Sequence, residues 1–478
     1  MERRQFMQQA MMAGAALTLS SITRGVLGAP LVADFPVVRI PESQRKFKSK
    51  AVEALITKIQ KDISNKELAW MFGNCFPNTL DTTVDFNMVD GKPDTYVITG
   101  DIDAMWLRDS SAQVWPYLRL VKEDKNLQQL IAGVIHRQAK NILLDPYANA
   151  FYKDASKESE WVKSDRTDMK PGIHERKWEI DSLCYPIRLS HGYWKETGDA
   201  TPFDAQWVEA MQTVINTFIT QQRFHGKGPY SFQRETAFAT DTQPMGGYGY
   251  PVKPNGLICS MFRPSDDCTI YAYLIPSNFF AVESLLQLEE MGRAIPALSA
   301  LVAPAGKLAA QVKKALDEHA KVQHGTLGKI YAFEVNGFGS YNLMDDANIP
   351  SLLSMPYLNA VSVDDPTYQA TRKFVLSADN PFFFKGTAAE GVGGPHIGLD
   401  MIWPMSIVMR GLTSNDDKEI KWCLDTLQKT HADTGFMHES FHKDDPKHFT
   451  RSWFAWSNTI FGEFVWKVYR ERPHLLKA

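Results

Sequence analysis

Six segments decide the fold of this chain: DIDAMWLRDSSAQVWPYLRLV from Asp101, EIDSLCYPIRLSHGYW from Glu179, SDDCTIYAYLIPSNFFAVESLL from Ser265, MDDANIPSLLSMPYL from Met344, GPHIGLDMIWPMSIVMRGL from Gly394 and TRSWFAWSNTIFGEFVWKVY from Thr450. In each, a polar cluster, usually with Asp, opens an aromatic-rich apolar run of helical length. Between most of them lies a more charged, amphipathic run, such as NLQQLIAGVIHRQAKNIL (126–143) or QWVEAMQTVINTFITQQ (206–222). A helix that is apolar all round must be buried, and one with a polar face lies outside. Six buried helices alternating with six amphipathic ones predict an all-α fold, an (α/α)6 barrel of six helical hairpins. The strand-like piece GKIYAFEVNGFG (328–339) predicts a small β-hairpin at the rim. A single Asp at a helix start reads as a simple cap. Six similar openings point instead to inner-helix N-termini gathered around one pocket.

The remaining composition narrows the function. The 478 residues carry a net charge of -3, with 44% hydrophobic and 22% charged residues, which is a globular balance. A near-neutral chain lacks the basic clusters that neutralise phosphates, so nucleic acid is not an expected partner. Twelve Trp suit a large core and also a site that stacks flat ligands such as sugar rings. Five cysteines (Cys75, Cys184, Cys259, Cys268, Cys423) show no CxxC spacing, which leaves a zinc ribbon or redox dithiol unsupported.

The N-terminus reads MERRQFMQQAMMAGAALTLSSITRGVLGAP. Arg3-Arg4, an apolar stretch from Ala10 to Leu19 and small residues at Gly28-Ala29 predict a signal peptide over 1–29, of the twin-arginine type that exports folded proteins. The apolar run is shorter than the roughly 20 residues needed to span a bilayer, so no stable membrane insertion is expected. The mature part, 30–478, shows no low-complexity linker and reads as one catalytic domain. The expected location is periplasmic or secreted.

Two motifs act as decoys. His438-Glu439-Ser440-Phe441-His442 fits H-E-x-x-H, with His448 where a third zinc-binding His would lie. However, Asp445 stands where the extended motif needs Gly, Pro446 follows, and Gly435 leaves little helix before the pair. Terpene cyclases share the barrel, but none of the Asp-Asp pairs completes DDxxD. There is no P-loop, GxGxxG or GxSxG. What remains is a set of pocket candidates: Asp101, Asp103, Trp106, Arg108, Asp109, Asp181, Asp266, Asp267, Glu390, His396, Glu439 and Trp453. Paired carboxylates beside Trp suit glycoside hydrolysis, in which one carboxyl protonates the leaving oxygen, the other activates water or attacks carbon, and Trp stacks on a sugar face. Trp115 and Trp456 read as core.

Three stretches, TGDIDAMWLRDSSAQVWPYL (99–118), FRPSDDCTIYAYLIPSNFFA (262–281) and TGFMHESFHKDDPKHFTRSWFAWSNTIFGE (434–463), closely resemble glycoside hydrolase family 125, and the resemblance runs from about residue 45 to 470. It implies an α/α barrel and an exo-acting, inverting α-1,6-mannosidase that uses no metal and no cofactor, with an α-mannoside glycan as substrate. It places the general acid on Asp266, with Asp267 as the alternative, and the general base on Glu439. Arg108, Asp109 and His396 would then hold the terminal mannose. His438 would orient water or bind sugar. Asp267 is the expected neighbour that keeps Asp266 protonated. An inverting pair stands about 6.5–9.5 Å apart, leaving room for water. The competing readings are a glycan-binding protein that keeps the fold without catalysis, and a zinc peptidase.

Overall fold

The computed structural model describes residues 35–477. The leader expected over 1–29 lies outside the described residues. Thirteen α-helices and a set of short strands are seen among those described. The helices are α1 (Lys50–Asp62), α2 (Lys66–Cys75), α3 (Asn78–Thr82), α4 (Leu107–Val114), α5 (Lys125–Leu144), α6 (Ile180–Thr197), α7 (Ala205–Gln221), α8 (Ile275–Ala294), α9 (Val302–His319), α10 (Pro366–Val375), α11 (Pro404–Leu412), α12 (Asp417–Lys429) and α13 (Ala455–Glu471). Five of the six quoted segments supply α4, α6, α8, α11 and α13. These pack in series: α4 on α6, α6 on α8, α11 on α13, and α13 back on α4. The amphipathic helices sit against them, α9 on α8 and α12 on α11, while α5 packs on α7.

The helix starts differ in how they are capped, and α3 and α9 lack side-chain caps. Ser49, Asn65, Asp124, Asp204, Asp365 and Asp416 cap α1, α2, α5, α7, α10 and α12 by accepting from backbone N–H groups one turn in, the standard way to satisfy orphan donors. Helices α4, α6, α8, α11 and α13 follow Trp106, Glu179, Leu274, Trp403 and Phe454, and none of these has a side-chain cap. The Asp residues of the openings are therefore not caps. At the other ends of α4, α6 and α13, Arg188, Lys195 and Arg470 border a broad cavity and offset the negative ends of the helix dipoles.

Two expectations need correction. The segment from Met344 forms successive turns and no helix. Pro350 and Pro356 each lack an N–H, and the buried Asp345 carboxylate takes the N–H groups of Leu352 and Leu353 at 2.8 and 3.0 Å, replacing helical bonds. The β content also exceeds one hairpin. Lys321–His324 does pair with Gly328–Tyr331, but six further two- or three-stranded sheets occur among the described residues. Two of them carry the pocket. Met105–Trp106 pairs with Ala150–Phe151, which pairs with Ile173–Glu175. Met401–Ile402 pairs with Ser440–His442, which pairs with Asp445–Thr450. Ladders this short have little period-2 pattern to read, so they are invisible to alternation.

The five cysteines are all free, and four are buried, acting as small apolar residues. No described helix is long and apolar enough to cross a membrane. One contiguous apolar cluster fills the space between the layers, with a satellite of Ala104, Trp106 and Ala150 under the pocket.

Close approach of layers is testable at two glycines. A Cβ on Gly133 of α5 would lie 2.9 Å from the Thr95 backbone nitrogen and 3.0 Å from the Asp94 carbonyl carbon, whereas a Cβ on Gly306 of α9 would meet only the mobile Glu289 carboxylate. Alanine gains about 1 kcal/mol over glycine in a helix, but a backbone clash costs about 1–3 kcal/mol. Gly133→Ala should lower the thermal midpoint, and Gly306→Ala should leave it level or raise it, as read by calorimetry.

Candidate active site

The first turn of α4 places Arg108 immediately after the strand Met105–Trp106. Its guanidinium, 3% exposed, gathers carboxylates from separate elements. Nη1 donates to Glu179 Oε2 at 2.5 Å and Asp181 Oδ2 at 3.1 Å, both at the start of α6. Nη2 donates to Asp266 Oδ1 at 3.1 Å, and Asp109 Oδ2 stands 3.5 Å from Nε. Four buried carboxylates around one cation cannot all be ionised cheaply, because each unpaired buried charge costs several kcal/mol. Burial, only partly offset by Arg108, pushes Asp109 and Asp181 up to about 6 and Glu179 well above the ordinary range.

Asp266 lies in the loop between Arg263 and Cys268 with φ of +65°, a left-handed conformation uncommon outside glycine. The loop is tied down on both sides. The Asp266 N–H donates to the Arg263 carbonyl at 2.9 Å, and the Asp266 carbonyl accepts from buried Lys177 Nζ at 2.9 Å. Arg263 is itself fixed by Glu334 at 2.7 Å. The turn separates the two adjacent aspartates. The Asp266 side chain meets Arg108, Asn149 Nδ2 at 3.3 Å, and Glu179. The Asp267 carboxylate instead meets His396 Nδ1 at 3.2 Å. The carboxyls gathered with Asp266 on Arg108 are Glu179, Asp181 and Asp109, whereas the sequence suggested Asp267 as its neighbour.

Across the pocket, Glu439 directly precedes the strand Ser440–His442. The residue is 6% exposed; Oε1 accepts from Arg451 Nη1 at 3.4 Å, and Oε2 has no partner among the described residues. Arg451 also pairs with Asp101 and lies 4.6 Å above the Phe454 ring. The pocket is lined by Arg108, Asp109, Asp266, His396 and Glu439, with Trp106, Trp403, Phe454 and Trp456 as aromatic walls. The N-termini of α4, α11 and α13 open onto it, and that of α6 lies just beneath, so the positive ends of four helix dipoles face these carboxyls.

Several sequence candidates fall elsewhere. Asp181 is fully buried under Arg108. Asp101 is partly exposed and serves Arg451. Asp103 is 79% exposed at its side chain, with Lys157 at 3.9 Å, and does not reach the pocket. Asp267 backs His396. Trp453 packs over Gly100, outside the lining. Glu390 pairs with Arg410 and Lys385 at 3.0 and 2.9 Å, away from the site. His438 stacks on Phe449 at 3.9 Å and donates Nδ1–H to the Ser452 carbonyl at 2.9 Å. Burial pushes it down to about 4, so the ring is neutral.

The H-E-x-x-H stretch ends in a strand, not on one helix face, and His442 stacks with His448 at 5.5 Å. No group of three or more His, Cys, Asp or Glu suited to a metal occurs among the described residues. Trp456 belongs to the apolar core, as expected, and its edge also borders the pocket. The sequence reading missed Arg451, Glu179, Asn149, Asn348 and Trp403. All but Asn149 stand inside the quoted segments, so the repeat that revealed the helices also carried the signal for them.

The chain matches the family model described as metal-independent α-mannosidase over residues 65–466. It belongs to glycoside hydrolase family 125. It is 42% identical over 463 residues to the meiotically up-regulated gene 157 protein of Schizosaccharomyces pombe, covering 92% of this chain and 90% of that one. It is 41% identical, with a TM-score of 0.85, to a metal-independent α-mannosidase of Streptococcus pneumoniae solved as a non-productive complex with α-1,6-mannobiose; the match covers 89% of this chain and all of that one. A family 78 rhamnosidase of Bacillus sp. GL1 shares the fold at 11% identity and a TM-score of 0.52, over 84% of this chain and 35% of that one. As a family 125 member the chain is a glycoside hydrolase acting on mannose glycans.

The carboxylate cluster sets a pH signature. A free Asp ionises near 4, whereas Asp181 is held up to about 6. Between these values the folded state binds more protons, so stability falls as pH rises through the window. A shift of this size corresponds to about 3 kcal/mol at most. Asp181→Asn should lose less stability than the parent between pH 4 and pH 6.5 in denaturant titrations.

Proposed function

We propose that the chain is an exported exo-α-1,6-mannosidase that inverts the anomeric centre, with Asp266 as general acid and Glu439 as general base. The observation that carries the reading is that these two carboxyls line one pocket, each anchored by its own arginine. The mannosidase relative with bound α-1,6-mannobiose supports the substrate class. The helical series α4, α6, α8, the turns after Met344, α11 and α13 is read as the inner layer of an (α/α)6 barrel forming one catalytic domain from residue 30. Export rests on the twin-arginine leader of 1–29.

The chemistry follows from the two environments. Asp266 gives its proton to the glycosidic oxygen as the C1–O bond breaks with its electron pair on oxygen. Water attacks C1 from the opposite face, and Glu439 Oε2, without a partner among the described residues, takes the water proton. Arg451 holds the other carboxylate oxygen and fixes its direction. Trp106, Trp403, Phe454 and Trp456 offer faces for the sugar ring. Arg108, Asp109 and His396 present hydrogen-bonding groups to its hydroxyls, each bond to a charged group contributing about 1.5–3 kcal/mol. Two carboxyls supply every proton transfer, so the scheme routes nothing through a metal.

The test uses leaving groups. Asp266→Asn should suppress hydrolysis of α-1,6-mannobiose by about 10²-fold or more and spare aryl mannosides with good leaving groups, which need little protonation. Glu439→Gln should suppress both. Chelator should change neither rate in the parent. The first sugar seen by proton NMR should be β-mannose; α-mannose appearing first overturns inversion. An acid phenotype in Asp267→Asn or Asp109→Asn, with none in Asp266→Asn, reassigns the acid.

A further inference from the structure

The Arg108 cluster contains a carboxyl that the proposed chemistry does not use. Glu179 stands at the residue before α6, fully buried, with no access to the pocket. Its Oε2 is served by Arg108 Nη1 at 2.5 Å and by Ser182 Oγ at 2.8 Å. Its Oε1 is buried and meets no N–H or protein hydroxyl. The group within hydrogen-bonding reach of Glu179 is the carboxyl of Asp266, which is fixed there because both side chains sit on the terminal nitrogens of one guanidinium. An orphaned buried carboxylate oxygen is costly, and two touching carboxyls do not both ionise. One proton between them removes both penalties.

We propose that Glu179 is a positioning residue that shares a proton with Asp266, and so keeps the acid loaded for transfer to the glycosidic oxygen. The inference rests on the reading of Asp266 as the acid. Before transfer the pair holds one proton and Arg108 bridges a neutral and an ionised carboxyl. After it, the pair holds none, Arg108 bridges two carboxylates, and water refills the proton once product leaves. The other charged groups near Glu179 are engaged as follows. Asp109 and Asp181 share the same guanidinium from α4 and α6. Glu175, on the strand Ile173–Glu175, is taken by Arg234 at 3.0 Å and Asn149 Nδ2 at 3.1 Å. Lys177 Nζ is directed to Asp241 at 2.6 Å and to the Asp266 carbonyl. Burial first, and then the Asp266 and Asp181 charges against the opposing pull of Arg108, hold the Glu179 carboxyl well above the ordinary range.

The experiment is the pH profile of kcat/KM for α-1,6-mannobiose and for an activated aryl mannoside. Glu179→Gln removes the like charge, so Asp266 should ionise at lower pH. The basic limb for mannobiose should move down by about one unit or more, a tenfold or greater loss above that limb. Activity should return to within a few-fold of the parent at lower pH, and the aryl mannoside should be nearly unaffected throughout. A merely structural role would depress both substrates at every pH. Ser182→Ala is the gentler counterpart: losing the hydroxyl that favours ionised Glu179 should move the basic limb up. If Glu179→Gln folds and leaves the limb in place, or if it fails to fold and Ser182→Ala leaves the limb in place, the inference is overturned. Failure of the reading beneath it looks different, because Asp266→Asn would then lack the leaving-group dependence.

Discussion

One guanidinium organises the site. Arg108 joins the first turn of α4 to the start of α6 and to the loop of Asp266, elements separated by 71 and 158 residues in sequence. Removing it would leave four buried carboxyls facing one another, and breaking a buried charge pair costs about 3–5 kcal/mol. The same ion pair therefore holds the helices in register and sets the protonation of the pocket. The stability of the cluster and its chemistry cannot be changed independently.

The uncapped helix starts follow from the same constraint. A side-chain cap on α4, α6, α11 or α13 would satisfy the N-terminal N–H groups locally and would fill the pocket. Here Trp106, Glu179, Trp403 and Phe454 occupy those positions, and the positive dipole ends act on the clustered carboxyls instead. Among the surrounding helices, α1, α2, α5, α7, α10 and α12 are capped in the usual way by Ser49, Asn65, Asp124, Asp204, Asp365 and Asp416, while α3 and α9 are not. The contrast gives a physical meaning to the difference between the two kinds of helix opening.

Much of this was legible in the sequence. The apolar, aromatic-rich runs that follow the polar openings identified α6, α8, α11 and α13, and the run around α4 did so although α4 itself, LRDSSAQV, is buried while largely polar. The segment from Met344 deceived the same criterion: it is buried all round, but prolines and the Asp345 side chain supply turns in place of helical bonds. The short ladders carry too few residues to alternate. The acidic openings announced a pocket, yet which acids enter it depends on partners far away. Asp101 and Asp103 stand two residues apart in the same opening, and one serves Arg451 while the other faces solvent. Trp456 read as core and is core, but the sequence could not show that it also borders the pocket.

The adjacent pair Asp266-Asp267 shows where sequence reasoning stops and geometry takes over. Their chemistry is identical, and what separates them is the left-handed turn at Asp266, pinned by Lys177 and Arg263, which sends one carboxyl to Arg108 and the other to His396. The two sides of the pocket then differ in charge. Around Asp266 one guanidinium, Arg108, serves four carboxyls, while Lys177 is spent on the Asp266 backbone carbonyl and on Asp241. Around Glu439 a single cation, Arg451, faces two, one of them the partly solvated Asp101. The crowded side retains protons, and the sparse side leaves a carboxylate oxygen open. Crowding on Arg108 and burial hold Asp109, Asp181 and Glu179 above the ordinary carboxyl range, which is how a protein keeps a carboxyl protonated near neutral pH. In this chain the difference comes from how many neighbours each arginine must serve.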